Sequence, residues 1–189
     1  MKANEVLTLV CEYLRDYQLK EVLEQDTLSD AGDGEKMKVK LLVTSLNDVV
    51  QSLALLYFPL KKLEKMQSTN GEYRYSDFEN VVLEVVKVQD GFGNNLRFKC
   101  FPEIVKVDAN DIVMTYHYQP KFVEHVQDKL DIANEKVGIR MLVTGVLSRY
   151  YMYKGMYQES TAWERAFRIT IMSAKAHSYS QNMPKRSWY

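Results

Sequence analysis

The chain has 189 residues, 46% of them apolar, which is enough for one ordinary core and short for two comfortable domains. Lys plus Arg and Asp plus Glu number 25 each, so no overall field recommends nucleic acid, a membrane surface or a polyanion as partner. Cys11 and Cys100 stand far apart and alone, which excludes a disulfide framework or a cysteine metal motif and favours a reducing compartment.

From the first residue, Asn4 precedes Val6, Leu7, Val10, Cys11 and Leu14 at helical spacing, with Glu5, Glu12 and Arg15 opposite, predicting a short first helix. Its acids and the lack of a small-residue cleavage site do not fit a secretory signal. Between residues 20 and 35 the apolar residues thin out and turn formers gather around Ser29 to Gly34, which reads as a connector. Residues 1–35 hold nine acids against Lys2, Arg15 and Lys20, whereas residues 36–66 hold six lysines against Asp48 and Glu64. That lysine-rich segment predicts a long helix over 36–58, with Val39, Leu42, Leu46, Val50 and Leu53 on one stripe and Pro59 ending it. No run approaches the roughly 20 apolar residues of a membrane span.

From Tyr73 to Gln119 the pattern becomes that of strands. Val81 to Val88 and Leu96 to Phe101 flank the turn Asp90-Gly91-Phe92-Gly93-Asn94-Asn95 and read as one hairpin. Ile104 to Val107 and Ile112 to Tyr118 read as a second. Residues 121–134 return to mixed helical character. Residues 135–176 then form two helical patterns broken at Lys154-Gly155-Met156, with Gly155 as the stop and Ser160 or Thr161 as the next cap. The expected fold is mainly α: a helical bundle with a central long helical hairpin and an inserted antiparallel β-hairpin region. It forms a single domain of N-terminal helices (1–66), β excursion (67–120), helical hairpin (121–178) and flexible tail (179–189).

Chemistry is sparse. Gly91-Phe92-Gly93 lacks a third glycine and precedes a strand, so it reads as a hairpin turn and not a phosphate loop. His117 and His125 lack helical metal spacing, His177 lies at the end of the last helix, and neither cysteine has a neighbouring histidine. No catalytic residue, cofactor or metal ligand is assigned, and an enzyme is disfavoured. Aromatic residues do cluster, however. Tyr150, Tyr151, Tyr153, Tyr157 and Trp163 surround the hairpin turn beside Arg149 and Lys154. They fit either a core edge or a subunit interface made of Arg149, Tyr150, Tyr153, Lys154 and Tyr157. The last residues, with Tyr179, Met183, Lys185, Arg186, Trp188 and Tyr189, read as a loose basic end or as a partner-binding segment.

The order of elements and the segments Tyr150-Tyr151-Met152-Tyr153-Lys154-Gly155 and Ala162-Trp163-Glu164-Arg165-Ala166 resemble the head-to-tail adaptor (connector, neck) proteins of tailed bacteriophages. The resemblance implies a structural virion protein, assembled in the host cytoplasm as a twelve-fold ring that joins the capsid portal to the tail. Its partners would be other copies of itself, the portal, and tail or further neck proteins. DNA would pass through the channel without sequence-specific binding, and no membrane would be involved. From the residues alone, the other expectation is a small cytosolic binding module whose hydrophobic groove receives a peptide or small molecule.

Overall fold

The computed structural model describes residues 1–25, 27, 31–133 and 135–179. The chain divides into two units, residues 1–53 with 121–189, and residues 54–120.

In the first unit, helix α1 (Ala3–Leu14) buries Val6, Leu7, Val10 and Cys11 as its spacing predicts. Arg15 closes it in the left-handed region, at φ 56°, and turns the chain into α2 (Tyr17–Gln25). α2 overturns the connector expected from residue 20. Its apolar side is Leu19 and Leu23, both buried, with Val22 half-buried, one turn of pattern that does not stand out among charges. Lys20 steadies the pair of helices, lying 2.7 Å from Glu12 and 3.6 Å from Glu24.

Helix α3 (Asp33–Leu56) contains the predicted stripe, and Val39, Leu42, Leu46, Val49, Val50 and Leu53 are all buried. By length and composition alone α3 is apolar enough to cross a membrane, contrary to the sequence expectation. Here that stripe is covered by protein. Residues 121–133 form no helix. Val123, Val126 and Leu130 are buried at helix-like spacing, but the backbone bonds elsewhere: Val123 exchanges two hydrogen bonds with the Asn47 side chain, and Val126 and Asp128 accept from Asn4 and Ala3.

α4 (Ile139–Tyr153) and α5 (Tyr157–Tyr179) make the predicted hairpin, closed by Gly155 at φ 73°. Ser160 and Thr161 do not cap α5, which begins earlier. Ser160 instead faces α4 and shares a reciprocal clasp with Ser148, each hydroxyl donating to the other's carbonyl, at 2.9 and 3.3 Å. Residues Met141 to Ser148 are all buried, because α4 is covered on several sides. At Gly145 a Cβ would lie 2.8 Å from a Val49 methyl and 3.0 Å from the Phe167 ring, so three helices meet where one lacks a side chain.

The second unit is two antiparallel three-stranded sheets, ordered β1-β6-β3 and β2-β5-β4. Its strands are β1 (Leu60–Gln67), β2 (Glu72–Arg74), β3 (Val82–Gln89), β4 (Phe98–Cys100), β5 (Ile104–Val107) and β6 (Asp111–Tyr118). Val85, Val88, Met114 and Tyr116 from one sheet and Tyr73, Val105 and Val107 from the other share one core. Neither expected hairpin forms as a pair. The turn after β3 starts a ladder, with Leu96 N–H donating to Val88 at 2.9 Å, and then β4 leaves for the other sheet. β5 pairs with β2 and β4, while β6 is central between β1 and β3. Gly71 permits the β2–β5 approach, since a Cβ there would fall 2.2 Å from the Val107 carbonyl oxygen. Tyr116 is fully buried, and its hydroxyl donates to Glu64 at 2.6 Å. Burial and that carboxylate push its phenol up to about 12.

With 49% helix and 22% strand, the described fold is mixed α/β, which corrects the mainly α expectation. β1 is the chief cause, since Leu60-Lys-Lys-Leu-Glu-Lys-Met-Gln reads as a charged continuation of the N-terminal helical segment.

Filling the Gly145 gap tests the three-helix contact. Gly145→Ala should lower stability by a net of about 1–2 kcal/mol, because overpacking costs more than the roughly 1 kcal/mol alanine gains in a helix. An unchanged or raised urea midpoint would contradict this.

Candidate interaction surfaces

At the turn end of the α4–α5 hairpin, charge fixes the geometry. Asp16, at the α1–α2 corner, accepts from Lys38 Nζ at 2.6 Å and from the Leu19 amide at 3.3 Å. The Lys38 hydrogen bond holds the Asp16 carboxyl below the usual carboxylate range, and Lys154 adds to the effect. Lys154 also lies 4.8 Å from the centroid of the Tyr150 ring. The Tyr153 hydroxyl donates to Asp48, whose proximity raises that phenol above its ordinary value.

The structure therefore brings Arg149, Tyr150, Tyr153, Lys154 and Tyr157 together, with unequal availability. Tyr150 is buried in the core and Arg149 is half-buried. Tyr153, Lys154 and Tyr157 are exposed, as are Met156, Tyr17 beside Asp16, and Met37 beside Lys38. Tyrosine and methionine together at a surface match the composition of interface centres. The other expected set lies outside the described residues: the Tyr179 side chain, Met183, Lys185, Arg186, Trp188 and Tyr189.

A different surface runs along the flank of the hairpin from its middle toward its open end, and of its residues sequence reasoning singled out only Trp163. A groove of about 1030 Å³ runs between the end of α1, the start of α4 and α5 as far as Ala174. Tyr13 and Trp163 meet edge to face at one side, ring centroids 5.5 Å apart, and Ile169 is 61% exposed on another. Lys136 and Arg140 also line it, and neither has an ion-pair partner among the described residues. The groove's walls are more than a hundred residues apart in the chain, so no local pattern announces it. Tyr13 on the polar side of α1, Trp163 in the aromatic cluster and Ile169 off the buried stripe of α5 are the local hints.

In the second unit, the turn at residues 90–95 is tightly tied. The Asp90 carboxylate accepts from the amides of Phe92 and Asn94 and from the Asn94 side chain, each at 2.9 Å. Those bonds, led by the Asn94 side chain, hold the Asp90 carboxyl below its ordinary range. Gln89 donates to the Gly93 carbonyl, and Gly93 takes φ 87°. The result is a rigid turn presenting Phe92, 94% exposed.

Elsewhere the chemistry is ordinary. Glu64, Glu72, Asp77 and Asp111 line a polar hollow of about 810 Å³ on the β unit. Among the described residues no group of three or more His, Cys, Asp or Glu is placed to hold a metal. His117 Nδ1 lies 3.1 Å from Glu84, and His125 is exposed. Burial pushes the Cys11 thiol up to about 12, and Cys100 is exposed on β4. The chain matches no family model, and no curated protein matches it.

Two tests follow from these geometries. Asp16→Asn should cost about 1 kcal/mol at neutral pH. A depressed carboxyl contributes above its unfolded value and loses that contribution as pH falls through the folded one, so the two proteins should converge in stability under acid. A gap that persists at low pH would contradict the ion pair as its source. Asp90→Ala should speed hydrogen exchange at the Phe92 and Asn94 amides while leaving β6 unchanged. Equal exchange in both proteins would show that Asp90 does not hold the turn.

Proposed function

We propose that this chain is a structural adaptor of a virion, one copy of a ring that joins the capsid portal to the tail of a tailed bacteriophage. The carrying observation is that the α4–α5 hairpin has two unlike exposed apolar surfaces, the tyrosine–methionine turn and the groove, whose nearest α5 residue, Trp163, lies roughly 9 Å along the helix from Tyr157. A ring requires such unlike surfaces, since one face of each subunit meets a different face of the next. The β unit adds a further exposed apolar residue of its own, Phe92. In this reading the basic tail with Trp188 and Tyr189 engages the portal or a neighbour, and DNA passes through the channel without sequence-specific contacts.

A second reading, a small binding module whose groove receives a peptide or small molecule, is favoured by the volume and apolar lining of the groove. Mass measurement by light scattering, with portal proteins encoded near this chain's gene, separates the two. The adaptor reading expects a multi-subunit complex with one portal. It also expects the double variant Met156→Glu, Tyr157→Glu to weaken assembly at least roughly tenfold, a loss of about 1.4 kcal/mol. Both side chains are exposed, so the melting temperature should be unchanged. A chain that stays monomeric with every portal, yet binds a small ligand in the groove, would overturn it.

A further inference from the structure

We infer that the groove between α1, α4 and α5 receives the Phe92 turn of a second copy of this chain. The inference rests on the ring reading in one respect, that neighbouring copies meet through unlike surfaces.

The turn has the properties of a preformed anchor. Phe92 is 94% exposed, more than any other large apolar side chain among the described residues. It stands on a backbone locked by the bonds to Asp90 and by Gln89, so little ordering remains to be lost on insertion. An exposed aromatic on a mobile loop costs entropy to dock. One on a rigid turn loses mainly water.

The groove has the matching properties. Tyr13, Trp163 and Ile169 offer aromatic and aliphatic walls, and its volume admits a whole turn, not only one ring. Charge selects the turn over other apolar projections. Asp90 stays ionised at the base of the turn, and its bonds to Phe92 and Asn94 leave lone pairs available. Lys136 and Arg140 line the groove without acidic partners among the described residues, while the groove's own acid, Glu12, is taken by Lys20. Phe92 seated on the apolar wall brings Asp90 toward this uncompensated positive lip, an attraction that fixes orientation more than it adds affinity.

Magnitude sets how the contact behaves. A buried phenylalanine removes about 150–250 Å² from water, against roughly 1,600 Å² for a standard stable interface. Alone the joint is weak and transient. Held side by side on a larger particle, the same joint acts at high effective concentration and sets the register of neighbouring copies.

Photo-crosslinking tests this on the full chain. A benzoylphenylalanine placed at position 92 is mixed with ¹⁵N-labelled native protein and irradiated, and the products are mapped by mass spectrometry. The expected product links position 92 to ¹⁵N-labelled peptides from residues 9–13 or 163–174. Its yield should fall roughly tenfold when the labelled protein carries Ile169→Glu, an exposed position whose change leaves helicity intact, and also when it carries Lys136→Glu with Arg140→Glu. Crosslinks confined to one chain, crosslinks to other peptides, no crosslink, or yields indifferent to both groove variants overturn the inference. Failure of the ring reading is seen separately. Portal particles that keep their full number of subunits with Phe92→Ala sink only the turn–groove joint, whereas a chain that never joins a portal sinks the ring.

Discussion

The helical unit depends on a missing side chain. With hydrogen at Gly145, Val49 of α3 and Phe167 of α5 both reach the backbone of α4, and the three helices share one crossing. The cost is the poor helix propensity of glycine, about 1 kcal/mol against alanine. The return is contact between Val49, Phe167 and the α4 backbone at a separation that no Cβ would permit. The Ser148–Ser160 clasp lies one turn further along and satisfies two buried hydroxyls between the same helices. Together they join α4 and α5 through the middle of the hairpin.

At the turn end, the corner residue Asp16 binds Lys38, Lys154 covers the buried Tyr150, and Tyr153 donates to Asp48. Along the flank, Tyr13 of α1 meets Trp163 of α5 edge to face, and the groove runs from there along α4 and α5. In the β unit a charged residue, Asp90, is likewise spent on stiffening a turn whose outermost residue is apolar. In that turn hydrogen bonds fix a backbone that exposes an apolar side chain. Such an arrangement stabilises the isolated chain little and a contact with another surface considerably.

Much of the helical part was legible in the sequence. The α3 stripe and the α4–α5 hairpin were signalled by long 3.6-residue periods, and Gly155 stops α4 as a left-handed glycine should. The failures have physical causes. α2 offers only Leu19, Val22 and Leu23 on its inner side, a single turn of apolar period among charges, and β1 carries its alternation on lysines. Residues 121–133 imitate a helix because their buried residues recur at helical spacing, although Asn47 takes the Val123 backbone bonds. Strand pairing failed because the proximity of β3 to β4 and of β5 to β6 in the chain suggested hairpins, while Gly71 and the shared core assigned them to different sheets. Of the surfaces, the aromatic turn was readable from local composition, but Tyr150 was not separable from its exposed neighbours. The groove was invisible because its walls come from both ends of the chain.

The central claim is that copies of this chain meet through unlike surfaces arranged around an axis. Single-particle electron microscopy of the particle formed with a portal tests it most directly. The account predicts a closed ring in which every subunit offers one surface to one neighbour and a different surface to the other, with no two-fold axis between adjacent copies. Adjacent copies related by a two-fold through the same surface, or a lone copy bound to the portal, would contradict it.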